Sequence, residues 1–285
     1  MNTNTSPHQY LSINDSFILD HQCTLLPPLT CYHYHNGCEI YLFLQGNTTL
    51  YVESNAFPLV RGDLFIFRPD ELHRAFCLED DTYERFTIHL QETFLKDLSS
   101  QQTNLTSCFF DRPIGMGNKR HLNEQELQDI LLLLYKLGDS IHGTSYGDDL
   151  LKSTILTELL VRINLLYQQK KESHSNYMPS LIKGVMAYIE SHLTEEILLQ
   201  DLSNHLYHNG TYISRKFKEA TGITLRQYIV YKRVILAKQL LTEGVSLTDA
   251  CDLSGFHDYS NFNRTFTKQV GCPPGQFQKA AGKND

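Results

Sequence analysis

The sequence lacks the features that would place it in a membrane or an oxidising compartment. Its longest apolar run, residues 130–135, is far too short to cross a hydrocarbon layer of about 30 Å. Its first residues are polar, with no basic segment leading into an apolar one, so no secretory signal is expected. Its seven cysteines form no C-x-x-C pair, which is typical of reduced thiols. We therefore expect a cytoplasmic protein.

Motifs of the common hydrolases and kinases are also missing. No Ser/His/Asp or Cys/His arrangement stands out, and no glycine-rich phosphate loop or Gly-Lys-Ser/Thr sequence occurs. The sequence therefore offers no support for hydrolytic or phosphoryl-transfer chemistry.

The charge is acidic overall but unevenly distributed along the chain. The formal net charge is −7, and residues 1–178 hold 13 Lys and Arg against 22 Asp and Glu. Residues 179–285 hold 12 against 10, a net charge of +2. A length of 285 residues allows two domains, each with its own core. The asymmetry suits a basic-leaning DNA module attached to an acidic partner domain.

The C-terminal part contains the same helical motif twice. Leu199 recurs as Leu247, 48 positions later, and Tyr212 aligns with Asn261, 49 positions later. One extra residue in the second turn accounts for the change in offset. Each copy predicts a scaffold helix followed by a recognition helix, at about residues 198–221 and 246–270, with a long helix between them. Two helix-turn-helix units in tandem predict a protein that reads two successive segments of DNA.

The polar face of each predicted recognition helix carries the chemistry for DNA recognition. Arginine can bond to guanine and asparagine to adenine through paired hydrogen bonds, whereas Ser, Thr and Lys mostly contact phosphates. The candidate DNA-binding residues are Asn209, Thr211, Tyr212, Ser214, Arg215 and Lys218 in the first unit, and His257, Tyr259, Ser260, Asn261, Asn263, Arg264 and Lys268 in the second.

The two helix-turn-helix units are expected to differ in their apolar contacts and in the capping of their helices. Leu199, Leu202 and Leu206 are expected to face inward in the first unit. Ser246 is a candidate cap for the second scaffold helix, because its side-chain oxygen can accept from an otherwise unpaired backbone N–H. Gly210 is expected to loosen the start of the first recognition helix.

Residues 249–277 resemble the signature of AraC/XylS-type transcription regulators, through Gly255-Phe256, Asn261-Phe262 and the later Gly271 and Pro273. Residues 212–222 and 233–241 resemble the first unit and connecting helix of the same family, so the resemblance covers about 100 residues. It departs from the family at Leu198, where a capping Thr or Ser is common, and at Thr267 and Gln278, where basic residues are frequent. The resemblance implies that the recognition helices enter major-groove segments about 34 Å apart. It also implies an activator, which would contact RNA polymerase.

The N-terminal part predicts a small antiparallel β-barrel or jelly roll at about residues 10–95. Short runs rich in aromatic and branched residues, at 39–44, 49–52 and 63–67, are separated by turn residues. Helical periodicity follows at about 122–169, and these leucine-rich helices predict a homodimer contact. The polar residues 170–179 predict a linker. The expected apolar stripes are Leu127, Ile130, Leu131, Leu134 and Leu137, and then Leu151, Ile155, Leu159 and Ile163.

Four residues of this barrel resemble the metal-binding motifs of the cupins. His33, His35 and Glu39 match the first cupin motif, and His73 falls in the second with its spacing off by one residue. Alternate residues of a strand share a side, so His33 and His35 could both face the barrel interior. Three histidines and a glutamate would suit Fe, Mn, Ni or Zn. In regulators resembling this chain the pattern commonly shapes a ligand pocket without metal. We therefore expect an effector site and no metal or cofactor.

These features predict an α+β protein of two domains. Residues 1–169 form a cupin-like jelly-roll barrel with following helices, and residues 180–285 form an all-α domain with two helix-turn-helix units joined by a long helix. The favoured function is a DNA-binding transcription regulator, not an enzyme, that binds double-stranded promoter DNA and responds to a small molecule, for example a sugar. The alternative is a metal-dependent cupin enzyme with a helical appendage, which would leave the repeat unexplained.

Overall fold

The computed structural model describes residues 10–11, 13, 15–25, 31–77, 82–141, 143–169 and 177–281. Internal contacts divide the chain into two compact units, with the division between Tyr177 and Met178. The predicted linker, residues 170–179, falls mainly outside the described residues. Across the described ranges, every helix is too short or too polar to cross a membrane.

The N-terminal unit is built mainly of antiparallel strands. Five of them form a sheet in the order β10-β7-β4-β9-β2, and three form a second sheet in the order β6-β5-β8. The strands are β1 (Tyr10–Leu11), β2 (Phe17–Thr24), β3 (Tyr34–His35), β4 (Cys38–Gln45), β5 (Thr48–Val52), β6 (Asn55–Pro58), β7 (Asp63–Phe67), β8 (His73–Cys77), β9 (Tyr83–Leu90) and β10 (Lys119–His121).

An aromatic core separates the two sheets. Tyr41 and Phe43 of β4 pack there with Phe65, Phe67 and Tyr83, and all five side chains are buried. The hydroxyls of Tyr41 and Tyr83 lie 2.8 Å apart and share a hydrogen bond. Two antiparallel sheets over one interior agree with the predicted jelly-roll layout.

Helices cover the other face of the five-stranded sheet: α1 (Glu92–Leu98), α2 (Ser107–Phe110), α3 (Glu124–Ile141) and α4 (Asp148–Gln168). The alternate residues of β4, Ile40, Leu42 and Leu44, pack against them. The stripe expected on α3 is largely buried, although Leu131 is only half-buried and Leu133 joins the core. The stripe expected on α4 is wrong at its start: Leu151 is 56% exposed, and the buried side chains are Leu156, Leu159, Leu160, Ile163 and Asn164.

The C-terminal unit is helical, and this arrangement confirms the predicted α+β, two-domain class. Two helix-turn-helix units, α6 with α7 and α9 with α10, are joined by α8. The helices are α5 (Ser180–Ser191), α6 (Leu199–Leu206), α7 (Gly210–Thr221), α8 (Leu225–Thr242), α9 (Leu247–Leu253), α10 (Tyr259–Val270) and α11 (Pro274–Ala281).

Capping side chains determine where most of these helices begin. Thr224 and Gln227 form a reciprocal capping box at the start of α8. Ser246 accepts from the backbone N–H of Asp249 at the start of α9, as its position predicts. Leu198 at the start of α6 provides no side-chain cap, so the first scaffold helix lacks this stabilisation.

The expectation that all three scaffold leucines of the first unit face inward is wrong. Only Leu202 of the three scaffold leucines is buried; Leu199 is 43% exposed and Leu206 is half-buried. Gly210 lies against Leu199, and a Cβ added to Gly210 would come within 2.7 Å of Leu199 Cγ. Glycine therefore allows close packing between α6 and α7 there, while Asn209 caps the helix.

Gly255, in the turn between α9 and α10, has a φ of +83°, which belongs to the left-handed region. A Cβ added to Gly255 would lie 2.7 Å from the Leu193 carbonyl oxygen, so glycine allows close packing of the backbone there. Gly244 has a similar φ of +84° but open space around it. We expect Gly244→Ala to lower the free energy of unfolding by about 1–2 kcal/mol. Gly255→Ala should lower it by roughly 1–3 kcal/mol more, because a backbone carbonyl must also move. Equal losses for the two variants in urea unfolding would contradict this packing argument.

Candidate functional site

The recognition helices α7 and α10 each turn one polar face outward. Ile213 and Phe217 on α7, and Phe262 and Phe266 on α10, are buried and hold these helices in the unit. Of the thirteen predicted DNA-binding residues, Ser214 is half-buried and the others are exposed: Asn209, Thr211, Tyr212, Arg215, Lys218, His257, Tyr259, Ser260, Asn261, Asn263, Arg264 and Lys268.

Matching caps place the two helices equivalently. The Asn209 Oδ1 accepts from the backbone N–H of Thr211 at 2.9 Å, and the Asp258 Oδ1 accepts from the N–H of Asn261 at 2.5 Å. These caps are 49 positions apart, the same offset as Tyr212 and Asn261. Asn209 thus has a structural role in addition to its predicted contact with DNA. His257 also has one, since its Nε2 lies 3.1 Å from the Thr194 carbonyl oxygen.

The charged residues of the two faces are arranged differently. On α7, Arg215 and Lys216 both pair with Glu219, at 3.2 and 2.8 Å. These pairs are exposed and therefore weak, so phosphates can replace the carboxylate. On α10 the sequence has no acidic residue, and the Arg264 Nη2 donates to the Asn261 Oδ1 at 3.3 Å. The two side chains best suited to bidentate base contacts are therefore neighbours on α10.

Within the C-terminal unit, a groove of about 780 Å³ lies along α8, between the first and the second helix-turn-helix units. Arg215 and Lys218 of α7 border it, and so does Asn261 of α10. Arg226 and Arg233 of α8 also line it, and sequence reasoning assigned no role to either. Arg226 is exposed at the start of α8, whereas Arg233 donates to the carbonyls of Leu193 and Glu195, at 2.9 and 2.6 Å. Arg226 is therefore a further candidate for phosphate contact.

The N-terminal unit contains a largely buried group of titratable residues, which we call the histidine cluster: His33, His35, Glu39, His73 and His89. Glu39 begins the row of β4 side chains that continues with Tyr41 and Phe43 into the interior between the sheets. Its Oε2 lies 2.8 Å from the Nε2 of His35, 3.0 Å from that of His73 and 3.5 Å from that of His89. The structure thus brings the four predicted residues together and adds His89.

Sequence reasoning missed His89 because its proximity depends on sheet register. It lies on β9, directly opposite Glu39 of β4, although the two residues are 50 positions apart in the chain. Nothing in the local sequence around His89 marks this pairing. His33 lies at the edge of the cluster, with its ring 4.3 Å from that of His73.

Burial and charge set the ionisation of the cluster. Burial alone would raise the pKa of Glu39, but the charges of His89 and His73 and the hydrogen bond from His35 hold that pKa well below its usual range. Burial lowers the pKa of His35 and, more strongly, that of His33. At His89, burial is outweighed by Glu39, so its pKa is raised. The cluster therefore presents a buried carboxylate surrounded by imidazoles.

Both parts of the chain match known families. Residues 202–280 match a family model described as a helix-turn-helix domain. Residues 29–160 match one described as an AraC-like ligand binding domain.

Regulators are among the similar proteins. The probable transcriptional regulator LumQ of Photobacterium leiognathi is 27% identical over 252 residues, which cover 87% of this chain and 91% of LumQ. An uncharacterized HTH-type transcriptional regulator of Staphylococcus aureus, SAR0107, is 25% identical over 85% of this chain, which spans only 31% of that protein. The uncharacterized HTH-type regulator YobQ of Bacillus subtilis is 35% identical over 108 residues, 38% of this chain and 42% of YobQ.

The matched models cover both the paired helix-turn-helix units and the β-rich unit with the histidine cluster, as the sequence resemblance implies. The chain belongs to the AraC family of transcription regulators, as a DNA-binding regulator with an N-terminal ligand-binding domain.

Proposed function

We propose that the protein binds promoter DNA as a homodimer and changes transcription in response to an effector held in its N-terminal unit. The equivalent placement of α7 and α10, with exposed polar faces and matching caps, carries this proposal. One chain can then contact two successive major-groove segments. The family resemblance further implies activation through contact with RNA polymerase.

The exposed residues divide by chemistry into two kinds of DNA contact. Arg264 and Asn261 are suited to base edges, as is Arg215 once it leaves Glu219. Lys218, Lys268 and Arg226 are suited to phosphates, which position the protein without reading sequence. Since phosphate neutralisation releases counterions, affinity should fall steeply as salt rises.

The effector would act through the histidine cluster. A ligand shifts an equilibrium only by binding one arrangement of the protein better than another. The cluster joins β4 and β9 of one sheet to β8 of the other, so a ligand there contacts both layers of the N-terminal unit. These contacts support a sensing role for the cluster.

The exposed leucines of the helical layer support the dimer. On α3 and α4, Leu132, Leu150, Leu151 and Leu165 are each more than half exposed. Exposed apolar side chains that lie together mark surfaces that another protein covers, and a second copy of this chain is the partner proposed for these helices.

Recognition of bases by Arg264 can be tested on DNA fragments that the purified protein selects from a random library. We expect Arg264→Ala to weaken binding by about 1–3 kcal/mol and to relax the preference at one position of the site. Lys268→Ala, the matched control on the same helix, should weaken binding to all sequences equally and reduce the salt slope by about 1. Gel-shift titrations at several salt concentrations measure both effects, and unchanged selectivity for Arg264→Ala would contradict its role.

The dimer can be tested by light scattering at micromolar concentration. We expect the wild-type protein to be a dimer and Leu151→Glu to shift it towards monomer, because a charge in an apolar interface is unfavourable. Leu25→Glu, at another exposed leucine outside the helical layer, should leave the mass unchanged. A wild-type protein that is monomeric with and without DNA would refute the dimer.

A further inference from the structure

We propose that three members of the histidine cluster, His35, Glu39 and His89, form a binding site for a divalent transition-metal ion, and that this ion is the effector. The inference rests on the proposed regulatory function and names the chemical class of the effector. It differs from the expectation drawn from sequence in both the presence of a metal and the identity of the ligands.

The first observation is the convergence of the ligand atoms. One ligand atom from each of His35, Glu39 and His89 lies within 4.8 Å of the other two. Two imidazoles and one carboxylate form a donor set that proteins use for zinc and for non-haem iron. The Nε2 of His73 lies 3.0 Å from the same Glu39 oxygen and is available as a further donor.

The second observation concerns which ring nitrogens carry protons. The Nδ1 of His35 lies 2.6 Å from the Gly37 carbonyl oxygen, and the Nδ1 of His73 lies 2.9 Å from that of Glu71. Carbonyl oxygens only accept hydrogen bonds, so each Nδ1 is the donor. The other ring nitrogen of each residue, Nε2, faces the Oε2 of Glu39, at 2.8 and 3.0 Å. Backbone carbonyls orient metal-binding histidines in the same way.

One buried carboxylate oxygen is therefore the common neighbour of several imidazoles. The contact between His35 and Glu39 is a hydrogen bond, whose proton a metal ion bound there would displace.

The third observation is the close packing of aromatic rings beside the cluster. The interior between the sheets is filled by aromatic side chains, and the His73 ring stacks on Phe67 with 4.1 Å between ring centroids. Protein cores pack at crystal-like density, so an ion is the ligand that needs the least displacement of these side chains.

His33 provides the control that separates this site from the motif in the sequence. Its Nδ1 lies 3.4 Å from the Cys31 carbonyl oxygen, and it lies outside the group of converging ligand atoms. His89, which no motif marks, takes its place opposite Glu39. Substitution of His89 is therefore expected to weaken metal binding, whereas substitution of His33 is expected to leave it unchanged.

The test uses the full-length protein, stripped with a chelator and dialysed against Zn²⁺, with Co²⁺ as a spectroscopic probe. We expect about one bound ion per chain and a rise in melting temperature, because a ligand that binds the folded state stabilises it. His89→Ala should bind Zn²⁺ at least about tenfold more weakly. His33→Ala should retain the wild-type affinity. Glu39→Gln, which keeps the side-chain volume, provides a second ligand variant if His89→Ala fails to fold.

DNA binding by the same samples separates this inference from the proposed function. We expect Zn²⁺ to change the affinity for the selected DNA by about fivefold or more. Salt-dependent DNA binding without metal binding would overturn the metal site and leave the regulator intact. Equal DNA affinity of metal-free and metal-loaded protein would overturn the effector role. Loss of Zn²⁺ binding in His33→Ala but not in His89→Ala would overturn the ligand assignment.

Discussion

Burial of both faces of strand β4 is the constraint on which the N-terminal unit depends. β4 is central in its sheet and pairs with β7 and β9, so its two sets of alternate side chains must each meet a packed layer. Ile40, Leu42 and Leu44 meet the helices, while Tyr41 and Phe43 meet the second sheet. Because Glu39 belongs to the same alternation, a carboxylate is carried into the interior, where the imidazoles of His35, His73 and His89 surround it.

A comparable constraint operates in the DNA-binding unit, where phenylalanines decide which face of each recognition helix is available. Phe217 on α7 and Phe262 and Phe266 on α10 are fully buried, so the remaining faces must point outward. The caps at Asn209 and Asp258 then set the starting point of each helix. Equivalent apolar anchors and equivalent caps therefore give equivalent polar faces, although the residues on those faces differ.

Sequence reasoning succeeded where periodicity and capping chemistry are local. It predicted the α+β class, the repeat, the Ser246 cap and the exposure of nearly all the polar residues on α7 and α10. It was wrong about Leu199, Leu206 and the start of the α4 stripe, because an apolar residue at helical spacing is buried only if a neighbouring element reaches it. It did not predict the contact of Gly210 with Leu199, because that contact belongs to the packing of two helices.

The sequence by itself determined that two helix-turn-helix units follow a β-rich unit, because these patterns are written in residues a few positions apart. Only the tertiary structure decided which side chains surround Glu39. His35 lies four residues from Glu39 in the chain, but His73 and His89 arrive from other strands through sheet pairing. Strand register is set by the packing of whole faces, so a single residue such as His89 carries no sign of its partner in its own neighbourhood.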